Sequence, residues 1–131
     1  MGRKIFSILL LLTGIVVGLG SLGHGMAAAQ VHAAIDGFAV DPGLREMIYV
    51  VWYMLSGCML LFGIAVVWAW ASARRGDTKP LFIAKLIGVL YFVAGVAGLI
   101  YRHGHPFMWL FVVLGALLLI CAAVLSRPVT A

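Results

Sequence analysis

Four apolar runs, each roughly twenty residues long and parted by short polar breaks, dominate this 131-residue chain. A helix needs roughly 20 mainly apolar residues to cross the hydrocarbon core of a bilayer. Within lipid every backbone N–H and C=O must be paired inside the segment, so runs of this kind fold as helices. The sequence predicts spans over residues 5–25, 46–73, 81–101 and 107–126, with residues 26–45 as an outer loop or short interfacial helix. Composition agrees. Charged residues make up 10% and hydrophobic residues 65%, whereas a soluble domain carries about 25% charged residues. So little charge cannot coat a soluble core. The expected fold is an all-α integral membrane protein: one domain over residues 1–131, an antiparallel four-helix transmembrane bundle with both termini cytoplasmic.

The joints and the basic residues give that topology. "DPG" (Asp41, Pro42, Gly43) fits a helix start, with Asp41 as N-cap and Pro42 at the first position. "RRGDTKP" over residues 74–80 and "HGHP" over residues 103–106 are tight polar turns, and short turns make neighbouring helices antiparallel. Arg3, Lys4, Arg74, Arg75, Lys79, Lys85 and Arg127 fall at one set of ends, and only Arg45 and Arg102 at the other. The positive-inside rule places the first set in the cytoplasm. Lys85, one turn inside the third span, snorkels to that interface. Tyr49, Trp52, Tyr53, Tyr101 and Trp109 then form an outer aromatic belt, and Trp68 and Trp70 an inner one. The net charge of +5 is explained by this bracketing of the spans, so no nucleic-acid partner is expected. A secretory signal ending at "MAAAQ" is the rival reading of the N-terminus. The apolar run from Ile5 to Gly23 is longer than the usual signal core of about 7 to 15 residues, so a retained first helix is expected; cleavage would leave three spans.

Small residues recur on helical stripes. In the first span these are Ser7, Gly14, Gly18, Ser21, Gly25 and Ala28, including the GxxxG of "GIVVG"; in the third they are Ala84, Gly88, Gly95 and Gly98, with Tyr91 on the same row. Small residues let helices approach closely where lipid supplies no hydrophobic drive. The first and third spans are therefore expected to pack tightly, against each other or against another subunit. Four residues beyond the two stripes lie His32 and Arg102, so the mouth of that interface is a candidate ligand site formed by Arg102, Tyr91, His24 and His32.

All four histidines fall on the predicted outer side. Imidazole is a common metal ligand, and soft thioethers favour copper. His24, His32, His103 and His105 with Met26 and Met108 are thus an alternative transition-metal set, and His24 with His103 an alternative pair of haem ligands. Asp36, Asp41 and Glu46 could add oxygen ligands. Against one shared ion, His24 and His32 lie about 12 Å apart along a straight helix. The bland reading keeps the histidines as interfacial caps and pairs Arg102 with Asp36, Asp41 or Glu46. Tyr91, near mid-membrane, is expected to bond a neighbouring helix through its hydroxyl. Thr13, Ser56 and Cys58 are expected to act as polar groups between helices. Cys58 and Cys121 form no CxxC pair and read as packing residues. No Asp or Glu lies deep in a span, which argues against a proton-coupled exporter. No nucleotide motif, nucleophile elbow or catalytic carboxylate pair appears, so an enzyme is not favoured.

The layout resembles the small bacterial four-helix membrane proteins of the DoxX-like type. The likeness rests on four spans in a chain of this length, the basic pair Arg3 and Lys4, and the polar break after "GLGSLGHG". It implies a bacterial inner-membrane protein, an accessory to a redox or envelope system, and transfers no functional residue. Three functions follow from the sequence. The first is a non-enzymatic protein that binds a partner membrane protein or a lipid-like ligand through glycine-lined helix faces. The second is copper or haem binding by the histidines. The third is a small transporter or channel built as a homo-oligomer.

Overall fold

The computed structural model describes residues 2–127 and is all-helical over that range, with five helices. They are α1 (Gly2–Met26), α2 (Ala28–Asp36), α3 (Pro42–Arg74), α4 (Leu81–Tyr101) and α5 (Pro106–Ser126). Four helical stretches are long and apolar enough to cross a membrane: α1 running on into α2, then α3, α4 and α5.

The helix starts follow from local chemistry. Asp41 Oδ1 accepts from the backbone N–H groups of Gly43 and Leu44 at 2.9 and 3.1 Å, and Pro42 occupies the first turn. This is the helix start that DPG predicts, four residues ahead of the apolar span expected from residue 46. At 33 residues α3 is about 50 Å long, well beyond the roughly 30 Å of a hydrocarbon core. Residues 26–45 are not an open loop: they contain α2, which packs on the first turns of α3. Tyr49 Oη donates to Asp36 at 2.9 Å, and Arg45 pairs with Asp36 at 3.1 Å. These contacts hold the last turn of α2 to α3.

Between α1 and α2 the helix is interrupted only at Ala27. The Ala27 N–H still reaches Gly23 C=O at 3.1 Å, but the His24 carbonyl drops out of the helical ladder. Trp52 Nε1 of α3 donates to it at 3.0 Å, so the interruption leaves no orphaned carbonyl there.

The glycine stripes are used within the chain. α1 packs chiefly along α3 and α4 along α5, and α1 and α4 share no substantial contact. Of the two expected arrangements, packing of the first and third spans on each other is thus not adopted; each packs on the next span in the chain. Gly18 lies directly on Gly63, and a methyl group built on Gly63 would fall on the Gly18 backbone. A methyl on Gly95 would come within 2.6 Å of Val112 N, and one on Gly115 would strike the Phe92 backbone. Along the first pair, Ser7 meets Trp70, Gly14 meets Val66, Gly18 meets Gly63 and His24 meets Ser56. The partners descend in α3 as α1 ascends.

The two pairs join unevenly. The buried apolar side chains are Leu10 and Val17 on α1, Val66 and Ala69 on α3, Leu81, Ala84, Ile87 and Tyr91 on α4, and Leu118, Cys121, Ala122 and Leu125 on α5. Most of them lie in the half of the bundle near the 74–80 turn. No residue of α3 before Gly63 is buried. At the same basic end, Arg3 donates to the carbonyls of Leu125 and Arg127, both at 2.9 Å. That places a cation where the C-terminal end of α5 concentrates negative potential.

Candidate functional site

The histidines do not form one cluster. His24 lies flat on Trp52, with ring centroids 3.8 Å apart, and its Nδ1 is 2.8 Å from Ser56 Oγ. Ser56 donates its own hydrogen to Trp52 C=O at 3.2 Å. The hydroxyl thus ties the imidazole to the α3 backbone. His32 stacks on Tyr49 at 3.7 Å and stands edge-on to Tyr53. The two rings thus lean on α3 residues about one turn apart. Together they clasp the α1–α2 segment to α3.

His103 and His105 belong to the turn between α4 and α5. His103 has φ +47 and Gly104 φ +82, the left-handed conformation that ends many helices. Gly104 N–H reaches Leu99 C=O at 2.8 Å. His105 caps α5, its Nδ1 accepting from Phe107 N–H at 3.3 Å. Both side chains are exposed. Among the described residues, no three His, Cys, Asp or Glu side chains stand together as metal ligands. Met26 is 81% exposed, and Met108 packs over Gly98.

The other candidate residues are also apart. Arg102 is exposed at the end of α4, and one of the three acids expected to neutralise it, Asp36, pairs with Arg45 instead. Tyr91 is buried between Phe111, stacked at 5.6 Å, and Phe62, edge-on at 6.5 Å. Its hydroxyl has no hydrogen-bond partner among the described residues, contrary to the expected bond to a neighbouring helix. Aromatic packing on both sides holds the ring and leaves the oxygen without an acceptor. Thr13 likewise bonds within its own helix, to Leu9 C=O at 2.8 Å, rather than across an interface. Ser56 does bridge helices, through His24.

Two concave surfaces lie along the α1–α3 seam, and individual residues did not single them out. The first is a lipid-facing groove of about 480 Å³. Gly14, Gly18 and Gly63 form its floor; Ile15, Leu19, Leu60, Ile64 and Trp68 form its walls. The groove exists because three glycines bring the two helix axes together while the flanking residues stay large. The second, of about 420 Å³, lies at the basic end between Arg3, Lys4, Ser7, Ala73, Arg74 and Leu125. Trp70 Nε1 donates to Ser7 Oγ at 3.0 Å beside it, and the Arg74 guanidinium sits 5.3 Å from the Trp70 ring centre. The sequence held a signal for the groove, the 14–18 glycine pair, but Gly63 belongs to no GxxxG in its span.

Comparison with family models, with curated proteins and with solved structures finds no match to this chain.

Proposed function

We propose that this chain is a small non-enzymatic protein of the bacterial inner membrane that holds a lipid-like ligand by a hydrocarbon chain. The carrying observation is the apolar groove floored by Gly14, Gly18 and Gly63. Its walls offer only dispersion contacts and carry no group that would activate a substrate. The orientation is that of an antiparallel bundle with both chain ends cytoplasmic; the chain ends themselves lie outside the described residues. The descending contacts of α1 with α3, the Arg3 contact with the end of α5, and the basic excess near the 74–80 turn support it.

A hydrocarbon chain suits the groove better than a partner helix. Close helix association in lipid needs small residues at the contact. Here the glycines already face each other, and what remains outward is Ile15, Leu19, Leu22, Leu60, Ile64 and Trp68. Such a surface admits a thin flexible chain between its ridges, whereas a helix about 10 Å across would ride on top of them.

Trp68 provides the test. It lines the groove and is 50% exposed, while Trp109, 56% exposed, lies outside it. Single-tryptophan proteins are reconstituted in phosphatidylcholine vesicles with a rising fraction of acyl-chain-brominated phosphatidylcholine. Trp68 is expected to be quenched at a lower brominated fraction than Trp109. Coincident curves would leave only ordinary annular lipid, and a Trp68 shielded from quenching would show that protein covers the groove.

A further inference from the structure

We propose that the basic pocket of Arg3, Lys4 and Arg74 is a headgroup site for an anionic phospholipid, whose acyl chain occupies the groove. This rests on the groove reading given above and names the ligand's charge and its direction in the membrane. The helical spacing links the two cavities. Lys4, Ile15 and Leu22 are eleven and seven residues apart, so they share one row of α1. Leu60, Val67 and Arg74 are seven apart and share one row of α3. Ile15, Leu22, Leu60 and Val67 all line the groove, and Lys4 and Arg74 line the basic pocket. Both walls of the groove therefore end on a cation. Lys4 stands about 15 Å along the axis from Gly14, a separation that a headgroup and the upper part of its chain can cover.

Among the described residues the pocket is lined by three cations and by no acidic side chain. Among the described residues the sole ion pair is Arg45 with Asp36, which involves other elements. Asp77 is the one acidic side chain near this end, and it accepts from the backbone N–H of Lys79 at 3.1 Å. Arg3 is fixed by two carbonyls of the α5 end at 2.9 Å, which consumes two of its five donors. Arg74 is held over Trp70, and the indole is in turn held by Ser7. Two of the three cations are thus pre-positioned, and Ser7 contributes a hydroxyl to the lining. A phosphate diester flanked by glycerol suits that combination: charge for the guanidinium and ammonium groups, and a chain that continues into the apolar groove. Juxtamembrane cations attract anionic lipid in general. What distinguishes this pocket is the shared row with the groove, which Arg75 and Lys79 at the same end do not line.

Native mass spectrometry of the full chain released from detergent, with added dioleoyl-phosphatidylglycerol or dioleoyl-phosphatidylcholine, tests the site. The wild-type chain is expected to retain one phosphatidylglycerol in preference to phosphatidylcholine by about tenfold. In K4Q/R74Q the preference is expected to vanish, with phosphatidylcholine retention unchanged. In R75Q/K79Q, which removes the same charge outside the pocket, the preference is expected to persist. A wild-type chain without preference overturns the proposal. So does an equal loss in R75Q/K79Q, which would reduce the effect to general surface charge. Displacement of phosphatidylglycerol by inorganic phosphate would also overturn it, by showing a site for the free anion. The quenching of Trp68 separates the two readings. If K4Q/R74Q loses the preference while Trp68 stays selectively quenched, both stand. If selective quenching is absent in the wild type, the groove reading fails whatever the headgroup preference.

Discussion

Residue His24 is tied to α3 by three contacts at once. Its imidazole stacks on Trp52 and hydrogen-bonds Ser56, and its backbone carbonyl takes the Trp52 indole hydrogen. In acid the imidazole takes up a proton. Protonation sets a cation against the face of Trp52, and imidazolium quenches indole emission. A protein whose only tryptophan is Trp52 is expected to lose emission on acidification, read by fluorescence as the pH is lowered. His24→Phe keeps a stacked ring but no titrating group, and is expected to give a flat titration. A flat wild-type curve would remove the imidazole from the indole. His24→Ala loses both the stack and the hydrogen bond and is expected to destabilise the protein by about 1–2 kcal/mol, read from thermal unfolding in detergent. The sequence marks His24 and His32 as rare polar residues among apolar neighbours. It does not reveal that α3 supplies their partners, because stacking depends on the axial register between helices, which no local spacing encodes. The same limit applies to His103 and His105: they look like a chelating pair, yet φ +47 at His103 and the Phe107 contact of His105 make them parts of a helix-ending turn.

Helix boundaries lie much closer to the sequence than helix partners do. The apolar runs and the DPG and HGHP signals mark the elements to within a few residues, since caps and breakers act locally. The start of α3 at Pro42, where DPG places it, follows from the Asp41 cap and the proline. Pairing was misread because a stripe of small residues announces a close approach without naming its partner. Gly63 and Gly115 provide the partner surfaces, and neither is part of a GxxxG. This concentration of close contact at one position has a measurable consequence. Gly63→Ala places a methyl group on the Gly18 backbone, where no flexible side chain can give way. A loss of about 1–3 kcal/mol is expected, the usual range for overpacking, seen as a lower unfolding temperature in detergent. Gly57→Ala, six residues earlier on the same helix and with nothing within 4 Å of the added methyl, is expected to be neutral or slightly stabilising. Equal effects at both positions would show that α1 and α3 do not meet at Gly63.

At the scale of the whole molecule, two helix pairs converge at the basic end, and side-chain polar contacts lie at both ends. This distribution bears on orientation. The basic end combines the 74–80 turn, Arg3 with the end of α5, and Ser7 with Trp70. The other end carries α2, the α2–α3 connection and the 102–105 turn. A chain that crosses the bilayer four times must place these two sets of residues on opposite sides, and the excess of Lys and Arg is the ground for the proposed cytoplasmic placement of the first. Single cysteines test this directly once Cys58 and Cys121 are replaced by alanine. On intact cells a membrane-impermeant maleimide is expected to label Arg102→Cys, which is exposed in the α4–α5 turn, and to label Asp77→Cys and Lys4→Cys only after the membrane is opened. The inverse pattern would reverse the orientation and move the basic pocket to the outer leaflet. Labelling of Asp77→Cys and Arg102→Cys from the same side would contradict a crossing by α4. Lys4→Cys carries a separate argument, because removal of the first helix as a signal would delete it from the mature protein. Its recovery in the full-length band, protected with Asp77→Cys, is the result expected if α1 remains as the partner whose glycines meet Gly63.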